Sequence, residues 1–144
     1  MKVESILKIK GRNVETVRPD TSAVVAIHKL TTLGIGAVVV SGDGERVDGM
    51  VSERDIVHGL NKHVARLLDL TVSDVMSRKV PVCAPEDSLQ SVMAEMTRSR
   101  NRHLPVTTDG RLVGLVSIGD VVKHRLDDMQ LETNVLRDSY RARH

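Results

Sequence analysis

Hydrophobic and polar residues follow one pattern twice along the chain, and the second copy is the clearer of the two. A short apolar run, Val80–Cys83, ends near a proline, and the apolar residues of 89–96 then recur at the i, i+3, i+4, i+7 spacing of an amphipathic helix. Two further apolar runs, Leu104–Val106 and Leu112–Val116, flank an Asp-Gly turn, as in a β-hairpin. Another amphipathic stretch closes the unit. The pattern predicts the element order β-α-β-β-α.

The first copy has the same order. Val14–Val40 aligns without a gap with Val80–Val106, and the sequence Gly-Met-Val-Ser at 49–52 aligns with Gly-Leu-Val-Ser at 114–117. Strands are therefore predicted at Val14–Val17, Ala37–Val40 and Val47–Val51, with a helix between the first two. The apolar face predicted for the first closing helix comprises Ile56, Leu60, Val64 and Leu67; that of the second comprises Val122, Leu126 and Met129, continued by Leu136 and Tyr140.

Two similar units in one chain predict an α/β (α+β) fold made of two β-α-β-β-α repeats. A unit of roughly 60 residues buries only about 60% of its unfolded surface and is marginal alone. We therefore expect the repeats to pack face to face about a pseudo-twofold axis. Repeat 1 is assigned to residues 1–68 and repeat 2 to residues 69–144, the latter with a C-terminal helical extension.

Composition limits the partners of this protein. The chain has 144 residues, of which 40% are hydrophobic, and a formal charge of +2. It has no Trp, no Phe and a single Tyr, so it lacks the aromatic faces on which single-stranded bases stack, and its charge is too small for a DNA-binding surface. The lone Cys83 predicts a reducing cytoplasmic location. Charged residues interrupt the first ten positions, and no long apolar run is present, so we expect neither a signal peptide nor a membrane partner.

Each repeat carries a Ser-x-x-Asp sequence where its closing helix begins: Ser52 with Asp55, and Ser117 with Asp120. A Ser followed three residues later by an acidic residue is a helix-capping signature and needs no ligand. The same pair can also bind one, because a carboxylate accepts hydrogen bonds from the two vicinal hydroxyls of a ribose, and free N–H groups at a helix start favour anions. Both interpretations remain open; the recurrence of the pair after a strand in both repeats favours the ligand.

Several short motifs, in the same order twice, give the chain a likeness to a known family. GMVSERD at 49–55 and GLVSIGD at 114–120 each follow an Asp-Gly turn, and they occur together with RHLPV at 102–106 and Val-Met at 75–76. From about Ile6 to Met129 the chain resembles a tandem pair of cystathionine-β-synthase (CBS) domains, a Bateman module. The resemblance implies a regulatory protein, not an enzyme, that binds adenosine-containing ligands in two clefts between the repeats and forms a homodimer.

The first repeat departs from the second at its link to the first strand, which is three residues longer, and at 36–39, where Gly-Ala-Val-Val replaces Arg-His-Leu-Pro. By the twofold relation, each Asp should face strands of the other repeat. Arginine and histidine can pair with phosphate oxygens, so we predict tighter phosphate binding in the Asp55 cleft and a bulkier group in the Asp120 cleft. The expected lining of the first is Ser52, Arg54, Asp55, Lys79, Val80, Arg102, His103 and Leu104; that of the second is Ser117, Asp120, Arg12, Asn13, Val14, Gly36, Ala37 and Val38.

The sequence thus predicts a cytoplasmic, homodimeric sensor that binds an adenine nucleotide (AMP, ADP, ATP or NAD(H)), uses no catalytic cofactor, and passes the bound state to an effector protein. Two alternatives remain. In the first, both Ser-x-x-Asp pairs are only helix caps and the chain is a ligand-independent interaction scaffold. In the second, the chain is an enzyme with His103 as a base, although no partner oriented for that role can be named. The histidines lack metal-ligand spacing, so no metal site is predicted.

Overall fold

Helices and strands alternate in two similar halves in the computed structural model, which describes residues 1–143. The elements are α1 (Val3–Lys10), β1 (Thr16–Val17), α2 (Ala23–Leu33), β2 (Ala37–Val40), β3 (Gly49–Ser52), α3 (Glu53–His63), a 3₁₀ segment (Val64–Asp69), α4 (Val72–Val75), α5 (Leu89–Ser99), β4 (His103–Thr108), β5 (Arg111–Ser117) and α6 (Ile118–Arg143).

Each half contains a small sheet. In repeat 1, β2 pairs in parallel with β1 and antiparallel with β3, with Val38 opposite Val51. In repeat 2, β4 and β5 form an antiparallel pair, and Cys83 makes only an isolated parallel bridge to Val106. The first strand of each repeat is therefore shorter than predicted. In repeat 2 a physical reason is Pro81, which has no N–H to donate to a ladder.

The short helix that precedes each repeat packs in the core of the other repeat. Val3, Ile6 and Leu7 of α1 pack in the core of repeat 2, together with residues of α5, β4 and β5. Val72 and Val75 of α4 pack in the core of repeat 1. The division of the chain at residues 68 and 69 stays a prediction. The exchange ties the two repeats together, because unfolding either one exposes apolar residues supplied by the other.

A third apolar cluster lies between the two sheets. It is built on Ala37, Val39 and Met50 of repeat 1, against which Val80, Leu112 and Leu115 of repeat 2 are packed. Backbone hydrogen bonds cross the same boundary: Met50 N–H donates to Ser77 O, and Ser77 N–H donates to Met50 O, both at 2.9 Å. The predicted mixed fold of two repeats packed on each other is confirmed.

The closing helices do not bury the whole of the apolar faces predicted for them, although Ile56 of α3 does pack against the core of repeat 1. In α6, Val121 and His124 are buried, whereas Val122, Leu126 and Met129 are 40–59% exposed. In α3, Leu60 is exposed, and Val64 lies beyond the end of the helix. Periodicity identifies an apolar face but not the neighbour that covers it, so the predicted stripe of α6 faces outward. Within residues 1–143, no helix combines the length and the apolarity that crossing a bilayer requires.

Candidate ligand-binding site

A cleft with a volume of about 460 Å³ opens between the repeats at the start of α3. Both repeats contribute to it. The floor and one wall come from β3 and the first turns of α3, and the other wall comes from the end of α5 and the start of β4. Its lining residues are Gly36, Met50, Ser52, Glu53, Arg54, Asp55, His58, Ser77, Val80, Ser99, Arg100, Asn101, Arg102 and His103.

Asp55 is held rigidly at the mouth of this cleft. The Ser52 backbone N–H and hydroxyl both donate to Asp55 Oδ2, at 2.8 and 3.0 Å, and the Asp55 N–H donates back to Ser52 Oγ at 3.3 Å. From the other repeat, the Ser77 hydroxyl donates to Asp55 Oδ1 at 2.7 Å. A carboxylate has about four acceptor positions, and these bonds use three. The helix cap therefore leaves the carboxylate able to accept a donor from a ligand.

Three arginines line the same cleft as this carboxylate. Arg54, Arg100 and Arg102 all border it and are exposed to solvent. Arg54 also reaches across from α3 to donate to the carbonyl of Arg100 at 3.3 Å, so it is drawn towards the second repeat. Arginine forms bidentate hydrogen bonds with phosphate and stays charged at any physiological pH. The cleft thus presents both a hydrogen-bond acceptor and anion-binding donors.

Arg100 holds an unusual backbone conformation for a non-glycine residue. It caps α5 with φ +58°, in the left-handed region, and the aligned residue of repeat 1 that caps α2 in the same conformation is Gly34. A left-handed conformation costs an L-residue roughly 1–2 kcal/mol, a cost that glycine avoids. Repeat 2 thus keeps a strained backbone at Arg100, a residue that lines the cleft. Backbone strain of this kind is typical of functional sites.

The pseudo-symmetric position in repeat 2 is chemically different. Ser117 and Asp120 form the equivalent cap, with Ser117 N–H donating to Asp120 Oδ2 at 2.9 Å and Asp120 N–H donating to Ser117 Oγ at 3.1 Å. Here the long side chain of Lys10 takes the place that Ser77 has in the first cleft, donating to Asp120 Oδ2 at 2.7 Å and to Leu115 O at 3.0 Å. Burial raises the pKa of Asp120, but the hydrogen bonds from Lys10 and Ser117 outweigh it and hold the pKa below its usual value.

His103 lines the Asp55 cleft and is also close enough to Lys10 and Asp120 to be affected by their charges. A Cβ on Gly36 would lie 3.0 Å from its Cε1, so the glycine leaves room for the imidazole. Burial and the nearby Lys10 ammonium lower the pKa of His103, against the opposite effect of Asp120 and Glu53. The imidazole is therefore neutral at pH 7 and offers one donor and one acceptor nitrogen.

The predicted site residues do not all meet. Those assigned to the Asp55 cleft line it, except Lys79 and Leu104; Leu104 is fully buried in the core of repeat 2, because neighbouring strand residues point to opposite faces. Among those assigned to the Asp120 cleft, Gly36 lines the Asp55 cleft instead, Ala37 and Val38 are buried in apolar clusters, and Val14 packs between the sheets. Asn13 is exposed, and Arg12 pairs with Glu4 on α1.

Several lining residues were not predicted. Arg100 had one signal, its alignment with a glycine at a helix end, and Ser77 had one in its place directly after the Val-Met pair of α4. Met50 and Glu53 had one in the motif GMVSERD, which also contains Ser52 and Asp55. His58, Ser99 and Asn101 had none, since their place in the cleft depends on how the two repeats pack.

Comparison with known proteins identifies the repeats. The family model described as the CBS domain matches the chain twice, over residues 5–62 and 72–127. The chain belongs to the CBS domain family. The predicted tandem CBS pair is thereby confirmed, and the cleft described above lies between two CBS repeats.

Solved and curated CBS proteins resemble the whole pair. The crystal structure of the CBS-domain containing protein ATU1752 from Agrobacterium tumefaciens is 43% identical, with a TM-score of 0.82 over 87% of this chain and 99% of that one. The CBS domain pair of protein MJ0100, solved in complex with 5′-methylthioadenosine and S-adenosyl-L-methionine, has a TM-score of 0.77 at 21% identity over 89% and 98% of the two chains. CBSX3, a mitochondrial CBS domain-containing protein of Arabidopsis thaliana, is 30% identical over 84% of this chain and 63% of its own. The CBS pair spans 42–63% of the length of the first curated relatives that it matches.

Proposed function

We propose that this CBS pair is a regulatory sensor that binds an adenosine-containing ligand in the Asp55 cleft. The observation that carries the proposal is the cleft itself, in which a preorganised carboxylate shares the space between the repeats with three arginines, Arg54 from its own helix and Arg100 and Arg102 from the other repeat. Asp55 would accept the ribose hydroxyls, and the arginines would bind the phosphate groups. The adenosine compounds bound by the MJ0100 pair support a ligand of this class. AMP, ADP, ATP and NAD(H) are the proposed ligands, because they carry phosphate groups that the arginines would bind.

The signal would pass through the relative orientation of the repeats. A ligand that touches Asp55 on one repeat and Arg102 on the other favours the orientation in which both contacts form, and only such differential affinity can shift a conformational balance. A second copy of the chain and a cytoplasmic effector protein are the proposed partners. No catalytic step and no catalytic cofactor are proposed.

A ligand-independent scaffold remains the second candidate, because both Ser-x-x-Asp pairs do form helix caps. Thermal denaturation with AMP, ATP and NADH separates the two. A ligand at ten times its Kd stabilises the folded state by about 1.4 kcal/mol, which raises the melting temperature by several degrees. Guanosine and cytidine monophosphates are the controls for the base. No shift with any adenine compound at millimolar concentration would favour the scaffold.

Arg100 provides a test in which stability and binding move in opposite directions. Arg100→Gly removes the left-handed strain and should stabilise the fold by about 0.5–1 kcal/mol, net of the greater flexibility of glycine in the unfolded chain. It also removes a guanidinium from the cleft and should weaken the binding of AMP or ATP. Denaturant unfolding and ligand titration measure the two effects. The control for the loss of an arginine is Arg98→Gly, because Arg98 lies in α5 but does not line the cleft. If Arg100→Gly binds the nucleotide as tightly as wild type, Arg100 is not part of the proposed site.

A further inference from the structure

The Ser77 side chain makes a hydrogen bond from one repeat to the acidic residue of the other. Its hydroxyl donates to Asp55 Oδ1 at 2.7 Å, whereas the two bonds from Ser52, at 2.8 and 3.0 Å, both reach Asp55 Oδ2. Each oxygen of a carboxylate offers about two acceptor positions. The helix cap therefore fills Oδ2, while Oδ1 has one position taken by Ser77 and one that is open.

A ribose needs more than this one open position. Its 2′ and 3′ hydroxyls are neighbouring donors, and both can bond to Asp55 only if Oδ1 offers two positions. We infer that an adenosine ligand displaces the Ser77 hydroxyl from Asp55, so that this contact between the repeats opens when a ribose binds and stays closed when a 2′-deoxyribose binds. The inference rests on the proposed function, because it concerns the same cleft and the same class of ligand.

Ser77 can release Asp55 more easily than Ser52 can. The Ser52 hydroxyl also accepts the Asp55 N–H at 3.3 Å, so moving it would disrupt the first turn of α3. Ser77 is exposed and lies after the end of α4, so a released hydroxyl can donate to water or to the ligand. The Ser77 backbone keeps its two hydrogen bonds with Met50, both at 2.9 Å, and only the side chain has to rotate.

The contact that Lys10 makes with Asp120 is harder to exchange. Lys10 Nζ donates to Asp120 Oδ2 at 2.7 Å and to Leu115 O at 3.0 Å, and its charge strengthens the bond to the carboxylate. A neutral ribose hydroxyl can therefore replace Ser77 on Asp55 with little loss, but it is a weaker donor than Lys10 on Asp120. The exchange is thus a property of the Asp55 cleft.

This exchange makes Ser77 the residue that sets the preference between ribose and deoxyribose. In the wild-type chain, the second ribose hydroxyl gains a bond to Asp55 while Ser77 loses one, so the two nearly balance. Without the Ser77 hydroxyl, both positions on Oδ1 are open before the ligand arrives, and the second ribose hydroxyl adds a bond without a loss. The preference for ribose should therefore be weak in wild type and strong in Ser77→Ala.

Isothermal titration of the full chain with AMP and 2′-deoxy-AMP tests the inference. The measured quantity is the Kd for 2′-deoxy-AMP divided by the Kd for AMP, a ratio in which general effects of a substitution on the cleft cancel. Ser77→Ala should raise this ratio about 10- to 100-fold over wild type, which is the effect of one hydrogen bond to a charged group. Ser77→Thr keeps a hydroxyl and should give a wild-type ratio. Ser73→Ala, on α4 and outside the residues that line the cleft, is the matched control.

The outcomes distinguish a failure of this inference from a failure of the proposed function. Binding of AMP with the same ratio in Ser77→Ala and wild type overturns the inference alone. A raised ratio in Ser52→Ala but not in Ser77→Ala also overturns it, because the exchanged hydroxyl would then belong to the helix cap. If neither nucleotide binds wild type or any variant, the proposed function fails, and the inference fails with it.

NMR spectroscopy of the wild-type chain observes the opening of the contact directly. At saturation, AMP should shift the amide signal of Ser77 further than 2′-deoxy-AMP does, because only AMP moves the Ser77 side chain. Equal shifts from the two nucleotides would mean that the contact does not distinguish them, and would overturn the inference.

Discussion

Asp55→Ala is expected to weaken adenosine-ligand binding by about 10- to 100-fold, since a hydrogen bond to a charged group contributes about 1.5–3 kcal/mol. The Asp55 carboxylate is held in place by Ser52, which caps its helix, and by Ser77 of the other repeat. Ordering this side chain therefore costs little free energy when the ligand binds. The loss should therefore appear directly in the affinity. Isothermal titration with the nucleotide that gives the largest thermal shift is the measurement.

A matched control separates ligand binding from helix capping. Thr71 and Asp74 form a capping box at the start of α4 with the same geometry, as Thr71 N–H donates to Asp74 Oδ2 at 2.9 Å, and Asp74 does not line the cleft. Asp74→Ala should lower stability and leave the affinity unchanged. Asp55→Ala should also lower stability, by about 1 kcal/mol for the lost cap. If the two variants bind the ligand equally well, Asp55 is a cap and the scaffold is the better account.

The parts of this molecule that the sequence predicts are those encoded locally. The repeats, the hairpins and the two Ser-x-x-Asp caps depend on residues within a few positions of one another, and periodicity and turn chemistry are sufficient to find them. The Asp55 cleft follows from one further assumption, that the repeats pack about a twofold axis. That assumption brings Ser52, Val80 and Arg102 to one place, as the structure does.

The parts that the sequence does not predict depend on tertiary packing. Nothing near Lys10 indicates that its ammonium pairs with Asp120, because the two residues meet only when α1 packs on the second repeat. The sequence predicts the outward face of α6 as its core face for the same reason: Val121 and Val122 are adjacent and equally apolar, and only the position of the neighbouring elements decides which is buried. The twofold relation also gives the wrong place for Gly36. It assigns this residue to the Asp120 cleft, whereas Gly36 lines the Asp55 cleft.

The surroundings of Asp55 and Asp120 therefore differ more than the matching motifs indicate. In the first, the second repeat supplies a neutral hydroxyl, from Ser77, to the acidic residue of the motif. In the second, α1 supplies a charged ammonium, from Lys10, which already neutralises Asp120. The sensor proposed here is accordingly assigned to the Asp55 cleft.

Gly49→Ala is expected to destabilise the fold by about 3 kcal/mol, because a Cβ there would lie 2.6 Å from the carbonyl oxygen of Ser77, a backbone atom that cannot rotate away. The same carbonyl accepts a hydrogen bond from the Met50 N–H at the junction of the two repeats. Moving Ser77 away to relieve the clash would therefore break this bond and separate the two repeats. At the aligned Gly114, the Cβ would meet the side-chain end of buried Leu7 at 2.5 Å, and Gly114→Ala should cost less, about 1–2 kcal/mol.

The control for added bulk is Gly119→Ala in the first turn of α6. Its Cβ would have Ser117 Oγ at 3.6 Å as its nearest neighbour, an ordinary contact, and alanine favours a helix over glycine by up to about 1 kcal/mol. Urea unfolding of the three variants should therefore rank Gly119→Ala as the most stable and Gly49→Ala as the least. Because the shift at Gly49 would also move Ser77 away from Asp55, the folded fraction of Gly49→Ala should bind ligand more weakly than wild type. Equal stability of Gly49→Ala and Gly119→Ala would mean that the two repeats do not meet at this strand.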